Sequence, residues 1–171
     1  LSRRRKEVEN LGEIVLRLQD IHYDGIHFNK DLNRILLDES EKKRFKVDEG
    51  VILFIRVNGN PEYVGRSAVF NGFNENIYLN DHLIRIKVNE KYNPYFLSYC
   101  LNTNSGKRII AKQLKTSAGQ HTIIPGGNEM LDFIVPPIGN QNEFVRIRKN
   151  IEQQKQLLKI QLNNQENLFQ S

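Results

Sequence analysis

The sequence predicts an α+β chain: a compact body over residues 1–139, built on a mixed or antiparallel β-sheet with short helices, then one long coiled-coil-like α-helix over 140–171. Three observations carry this. An apolar run, Val51–Ile55, is followed after a turn by a second, Val64–Phe70, the pattern of two buried strands folded back on each other. Asn93-Pro94 opens a helical pattern, with Asn as cap and Pro in the first turn. From Asn140 to Ser171 there is neither Pro nor Gly, and the composition shifts to Gln, Asn, Glu, Lys, Leu and Ile. At 171 residues there is room for one domain with a proper core and an appendage.

Taken in order, Ser2–Lys6 is a short basic opening, a solvated terminus or a phosphate contact. Gly12–Asp20 alternates apolar Ile14, Leu16 and Leu18 with polar neighbours and predicts a strand; His22–Gly25 predicts a turn and Gly25–Phe28 a second short strand. Ser40, flanked by acids, predicts the start of a short helix into Phe45, because carboxylates suit a helix N-terminus. Val47–Gly50 turns into the central hairpin, whose own turn is Asn58-Gly59-Asn60-Pro61, where Asn and Gly tolerate positive φ and Pro fixes its own. Ile77–Leu79 and Leu83–Val88 are extended, the latter alternating with Arg85 and Lys87. The helix from Asn93 runs to about Asn102, breaks at Asn104–Gly106 and resumes through Lys107–Lys115. Thr116–His121 is a polar loop, His121–Ile124 a strand, Pro125–Asn128 a turn, and Asp132–Val135 a last strand closed by Pro136-Pro137. In the terminal helix Phe144, Ile147, Ile151, Gln154 and Leu158 recur at three- and four-residue steps, with Leu162 beside them. At about 1.5 Å per residue the helix is roughly 40 Å long, so its stripe is expected to meet another helix, with Gln at seam positions fixing register.

The formal net charge is +5 and the pI about 9.3, which favours a polyanionic partner. Distribution says more: from Lys91 to Asn128 there is no Asp or Glu, while Lys91, Lys107, Arg108, Lys112 and Lys115 fall inside. Such a one-signed stretch is either a solvated helix surface or a nucleic-acid footprint. Cys100 is the single cysteine and sits in an apolar stretch, which excludes a disulfide framework or thiolate metal cluster and predicts a core thiol. No stretch is long enough to span a bilayer and the start does not resemble a signal peptide, so a reducing cytoplasm is expected. The first residue is Leu1 rather than Met, which suggests a piece of a longer polypeptide.

Catalytic constellations are not apparent. Asn93-Pro-Tyr-Phe96 resembles the Asn/Asp-Pro-Pro-Tyr motif of amino-methyltransferases, but the second Pro is missing and no glycine-rich loop follows a strand, so it is expected to be a helix cap. His22 and His27 lack helical metal spacing and have no acid clustered with them in this reading, so no metal and no cofactor are expected. What the chain offers is binding chemistry. Arg56, Asn58, Asn60, Tyr63 and Arg66 surround the hairpin turn, and Thr116, Ser117, Gln120 and His121 a second polar loop. Asn58 and Gln120 carry the amide that pairs with adenine, Arg56 and Arg66 the guanidinium that pairs with guanine, and Lys107, Arg108, Lys112 and Lys115 suit phosphates. Spacing alone leaves open which group meets which.

Six stretches in order carry a family resemblance: Gly12-Glu-Ile-Val-Leu-Arg-Leu-Gln-Asp-Ile21, Gly50-Val-Ile-Leu-Phe-Ile-Arg56, Val64-Gly-Arg-Ser-Ala68, Asn93-Pro-Tyr-Phe-Leu97, Gly119-Gln-His-Thr-Ile123 and Pro136-Pro-Ile-Gly-Asn-Gln141. Together they resemble a target recognition domain with its spacer helix, from the DNA-specificity subunit of type I restriction-modification systems. The chain departs from that pattern at Val51, where these subunits usually have Asp, and in size, since they commonly carry two recognition domains and two antiparallel helices. The resemblance implies a half-size subunit that dimerises through its helix, or the C-terminal half of a longer one. It further implies no catalysis of its own, binding to double-stranded DNA, and docking of methyltransferase subunits and, through them, a restriction subunit. Two other readings stand beside it: the recognition end of a fused type II restriction-methyltransferase enzyme, and a coiled-coil interaction protein whose basic face is incidental.

Overall fold

The computed structural model describes residues 11–28, 31–123 and 134–169, and the chain divides into two compact units, Leu1–Ile134 and Val135–Ser171. In the first unit β1 (Glu13–Val15), β2 (Arg34–Ile35), α1 (Glu39–Phe45), β3 (Ile52–Ile55), β4 (Val57–Asn58), β5 (Ser67–Val69), β6 (Ile77–Tyr78) and β7 (Leu83–Ile86) precede two helices, α2 (Pro94–Asn102) and α3 (Asn104–Lys112). The hairpin strands β8 (Lys115–Ser117) and β9 (Gln120–Thr122) follow. Among the described residues the strands form three sheets of three, ordered β2-β1-β6, β5-β3-β7 and β4-β9-β8, and of these pairs only β1 and β6 run parallel. The expected α+β class with mixed and antiparallel pairing is therefore what the chain adopts.

β3 has no polar residue because both its faces are covered. Leu53 and Ile55 join Ile14, Leu16, Ile21, Ala68, Phe70 and Ile77 in the main core, whereas Phe54 packs with Leu101 of α2 and Ile110 of α3. In register, Ile52 faces Val69 and Ile86, and Phe54 faces Ser67 and Ile84. The β3–β5 hairpin expected from the sequence is present, but β4 leaves it to pair with β9, so the intervening residues bridge two sheets. On its outer edge β5 is covered by Asn102, whose carboxamide accepts from Ser67 N (3.1 Å) and donates to Ser67 O (2.7 Å). This amide bracket supplies the partners that a neighbouring strand would otherwise give.

Several boundaries differ from expectation. The first strand stops at Val15, and Leu18–Asp20 forms a 3-10 turn closed by Asp20, which accepts from Arg17 N at 2.7 Å. Gly25–Phe28 makes only an Ile21–Ile26 bridge, and Arg34–Ile35 is the partner of β1. Asp38, not Ser40, caps α1: it accepts from Glu41 N while Glu41 accepts from Asp38 N, a reciprocal capping box. α2 is capped by Asn93 as expected. The break after it falls at Thr103, which caps α3 through Gly106 N at 3.0 Å. Gly106 lies inside the helix rather than in the break, and a larger residue would not fit there, since a Cβ would stand 2.6 Å from Leu101 O and closer still to Cys100 O. The last turn of α3 comes earlier than expected, and Lys115–Ser117 is extended.

The second unit is α4 (Ile138–Phe169). Its entry is set by Pro136-Pro137, with Pro136 O accepting from Gln141 Nε2 at 2.7 Å. Arg146–Glu143, Arg148–Glu152 and Lys155–Glu152 pairs run along it, while Ile147, Ile151, Leu158 and Leu162 are exposed. The expected basic opening Ser2–Lys6 and turn Pro125–Asn128 lie outside the described residues, as do Asp132 and Phe133 of the expected Asp132–Val135 strand, while its other half, Ile134 and Val135, forms no strand.

Candidate nucleic-acid interface

The two polar loops singled out in the sequence are physically joined. β4 and β9 pair so that Asn58 faces His121, and β8 and β9 pair so that Thr116 faces the same His121, which puts Asn58, His121 and Thr116 in one row across three strands. Thr116 Oγ1 and His121 Nδ1 are 3.0 Å apart, which fixes the ring. Ser117 and Gln120 face each other at the end of the hairpin. What looked like a loop is a tight β-hairpin, because Ala118 (φ 48°) and Gly119 (φ 73°) both take positive φ, as a two-residue connection matching strand twist requires. Its tip lies beside the other turn: a Cβ on Gly59 would sit 3.8 Å from Gly119 O.

The amides divide into builders and presenters. Asn58 Oδ1 accepts from Asn60 N (2.9 Å), and Asn60 Oδ1 accepts from Glu62 N (3.0 Å), capping the 3-10 turn Pro61–Tyr63. Both oxygens shape the turn, so Asn58 offers an incoming group chiefly its NH2. Arg56 donates to Asp81 O at 3.0 Å and is held toward the β7 side, not in the Asn58–His121–Thr116 row.

Beyond the row, Arg66 is held between two aromatic faces, its guanidinium carbon 4.3 Å from the Tyr63 ring centroid and 4.6 Å from that of Tyr23, and it donates to Ile21 O at 3.3 Å. Lys107 Nζ lies 4.7 Å from the same Tyr23 centroid. Residues from the turn at Tyr23, the 3-10 turn, the start of β5 and α3 are thus assembled into one cationic cluster. Gly65 makes this approach possible: at φ +89° it donates to Ile55 O, and a Cβ there would meet Ile110 Cδ1 at 2.5 Å, so the Ile110 side chain of α3 packs directly on the hairpin backbone.

Arg108, Lys112 and Lys115 are exposed, with Arg108 donating to Ser105 Oγ at 3.1 Å. Among the described residues Lys107, Arg108, Lys112 and Lys115 have no carboxylate partner, whereas Arg34, Lys42 and Lys87 are paired with Glu75, Glu13 and Asp48. Unneutralised cations on one segment keep a positive potential that paired ones lose.

One expectation needs correction. His22 and His27 do have an acid with them: Asp24 Oδ1 is 3.1 Å from His27 Nε2, and the two imidazoles stack with centroids 4.4 Å apart and planes inclined by 16°. One ligand atom from each of His22, Asp24 and His27 lies within 4.8 Å of the others, a spacing that could hold a metal ion. The sequence carries no signal for this role of Tyr23, since an aromatic residue amid turn formers gives no direction. Cys100 is half-buried, and burial pushes its thiol up, away from nucleophile behaviour.

No protein-family model matches the chain. The StySPI type I restriction enzyme specificity subunit of Salmonella potsdam is 33% identical over 133 residues, 77% of this chain and 28% of that protein. The EcoKI type I restriction enzyme specificity subunit of Escherichia coli strain K12 is 27% identical over 137 residues, 80% of this chain and 29% of that protein. Over about four-fifths of its length the chain is thus similar to type I restriction enzyme specificity subunits. It spans less than a third of the length of these curated relatives. Among the described residues, no helix is long and apolar enough to cross a membrane.

Proposed function

We propose that residues 1–139 are a target recognition domain that reads one part of a double-stranded DNA site, and that residues 140–171 are the spacer helix that brings the machinery to it. The chain is then a non-catalytic half-subunit or portion of a specificity subunit, acting in the cytoplasm. It directs adenine methyltransferase subunits and, through them, a restriction subunit. Phe144, Ile147, Ile151, Gln154, Leu158 and Leu162 form the helix seam, which pairs with a second recognition half, in the same polypeptide or in another copy. No observation favours the fused-enzyme or bare coiled-coil readings.

One observation supports this most: in a relative of specificity subunits, Asn58, His121 and Thr116 share a row while the cations of α3 and β8 are left without described carboxylates. Row residues suit base edges; Lys107, Arg108, Lys112 and Lys115 suit phosphates. Titrating the full chain with randomised duplexes at several salt concentrations tests it. Selective binding is expected, with log K falling against log salt by about 0.9 for each phosphate neutralised, hence by about 3 to 4 for these cations. A flat salt response without selectivity contradicts the proposal.

A further inference from the structure

The turn at His22–Gly25 belongs to neither of the two polar loops, yet it sends a side chain into the cationic cluster. It is closed by His22 N donating to Gly25 O (2.8 Å) and His27 N donating to Asp20 O (2.9 Å). Tyr23 projects from it with 46% of its surface exposed and takes part in none of the hydrophobic core clusters. Its ring serves two cations, Arg66 and Lys107, at 4.6 and 4.7 Å. Two like charges sharing one ring repel; the ring's quadrupole offsets part of that, and an anion between them would offset more. Asp24, in the same turn, is paired with His27.

We propose that Tyr23, Arg66 and Lys107 clamp one backbone phosphate of the bound duplex, making the His22–Gly25 turn a third DNA-contacting loop. The donor inventory selects the ligand. Guanidinium and ammonium groups only donate, and a phosphodiester only accepts, through two non-bridging oxygens; base edges mix donors with acceptors. Burial pushes the Tyr23 phenol up, but the neighbouring Lys107 and Arg66 cations outweigh this and hold it below its ordinary value of 10.0. Its O–H is left as a strengthened donor to a phosphate oxygen. Arg66 is pinned by Tyr63 and by Ile21 O, so it gives up little rotamer freedom when the phosphate arrives.

The clamp rests on the DNA-reading proposal, and the experiment separates the two. Salt slopes are measured for the full chain and for Tyr23→Phe, Lys107→Gln and, as a control on α4, Lys159→Gln, on a mixed-sequence duplex and on the selected one. Lys107→Gln is expected to lower the slope by about 0.9 on both. Tyr23→Phe should weaken both about tenfold, leaving their ratio and the slope unchanged, as loss of one charge-assisted hydrogen bond would. Single methylphosphonates scanned along the selected duplex should reveal one position that weakens the wild type and has no effect in Lys107→Gln. Wild-type affinity and slope in both variants overturns the clamp even if the parent chain stays selective. A non-selective parent whose slope still drops in Lys107→Gln overturns sequence reading and leaves the clamp standing. Absence of DNA binding by the parent chain overturns both.

Discussion

Replacing Gly65 by Ala tests the junction on which the candidate surface is built. The residue sits at φ +89°, where a Cβ costs about 1–2 kcal/mol. That Cβ would also lie 2.5 Å from Ile110 Cδ1, 2.9 Å from Cγ2 and 3.3 Å from Cγ1, so either α3 moves or Ile110 leaves its rotamer, an overpacking cost of about 1–3 kcal/mol. Alanine's smaller unfolded-state entropy returns only about 0.4–1 kcal/mol, so Gly65→Ala should destabilise by about 2–4 kcal/mol, a large part of a domain's margin. Urea denaturation followed by tyrosine fluorescence is the assay, because all six tyrosines lie between residues 23 and 99 and none lies in α4. The clash is separated from backbone strain by repeating the substitution in Ile110→Val, which removes the nearest methyl. There Gly65→Ala should cost about 1 kcal/mol less. An equal cost in the two backgrounds would refute the contact between hairpin and α3, and with it the assembly of Arg66 and Lys107.

Three further outcomes follow from the same contacts. Asn102→Ala should destabilise by about 2–4 kcal/mol in urea melts, because it strips both partners from the backbone of fully buried Ser67; a change under 0.5 kcal/mol would show the bracket to be unimportant. Asp20 is buried, and burial pushes its carboxyl above 3.8 although Arg17 and His22 pull it down. The folded state thus holds this proton more tightly than the unfolded state, so the Asp20 contribution falls as pH rises from 3.8 through the raised value. Asp20→Asn should remove that acid-side decline in a pH series of melts, and an unchanged decline would refute the assignment. Introducing Lys at both Ile151 and Leu158, exposed by 44% and 64%, should weaken seam association at least tenfold in sedimentation equilibrium or in copurification with methyltransferase subunits, given about 1.5–3 kcal/mol for each buried side chain. Undiminished association would place the docking surface elsewhere.

Elements were legible in the sequence where local chemistry decides them. The β3–β5 hairpin followed from apolar runs around a turn, α2 from Asn93-Pro94, and α4 from the lack of helix breakers. Pairing between distant segments was not legible. Nothing near Lys115 says that it is extended; β8 exists because β9 pairs with β4, some sixty residues earlier in sequence, as a sheet partner must. α1 is capped at Asp38 rather than opening at the expected Ser40, because the acidic cluster contains several eligible caps and only the reciprocal Asp38–Glu41 bonds choose among them. The candidate site divides in the same way. Its residue types were apparent from composition and loop chemistry. The building role of Asn60 is a local cap on Pro61–Tyr63, whereas the separation of Arg56 from the row and the arrival of Tyr23 against Arg66 depend on long-range contacts that no local pattern encodes.

The most direct measurement is the adenine methylation map of DNA from cells expressing candidate methyltransferase subunits with and without the polypeptide that carries this chain. The account predicts a discrete modified motif in its presence, lost without it, and altered or weakened when Asn58, Gln120 and His121 are replaced together. An identical map in the two cultures would contradict the claim that this chain chooses the sequence.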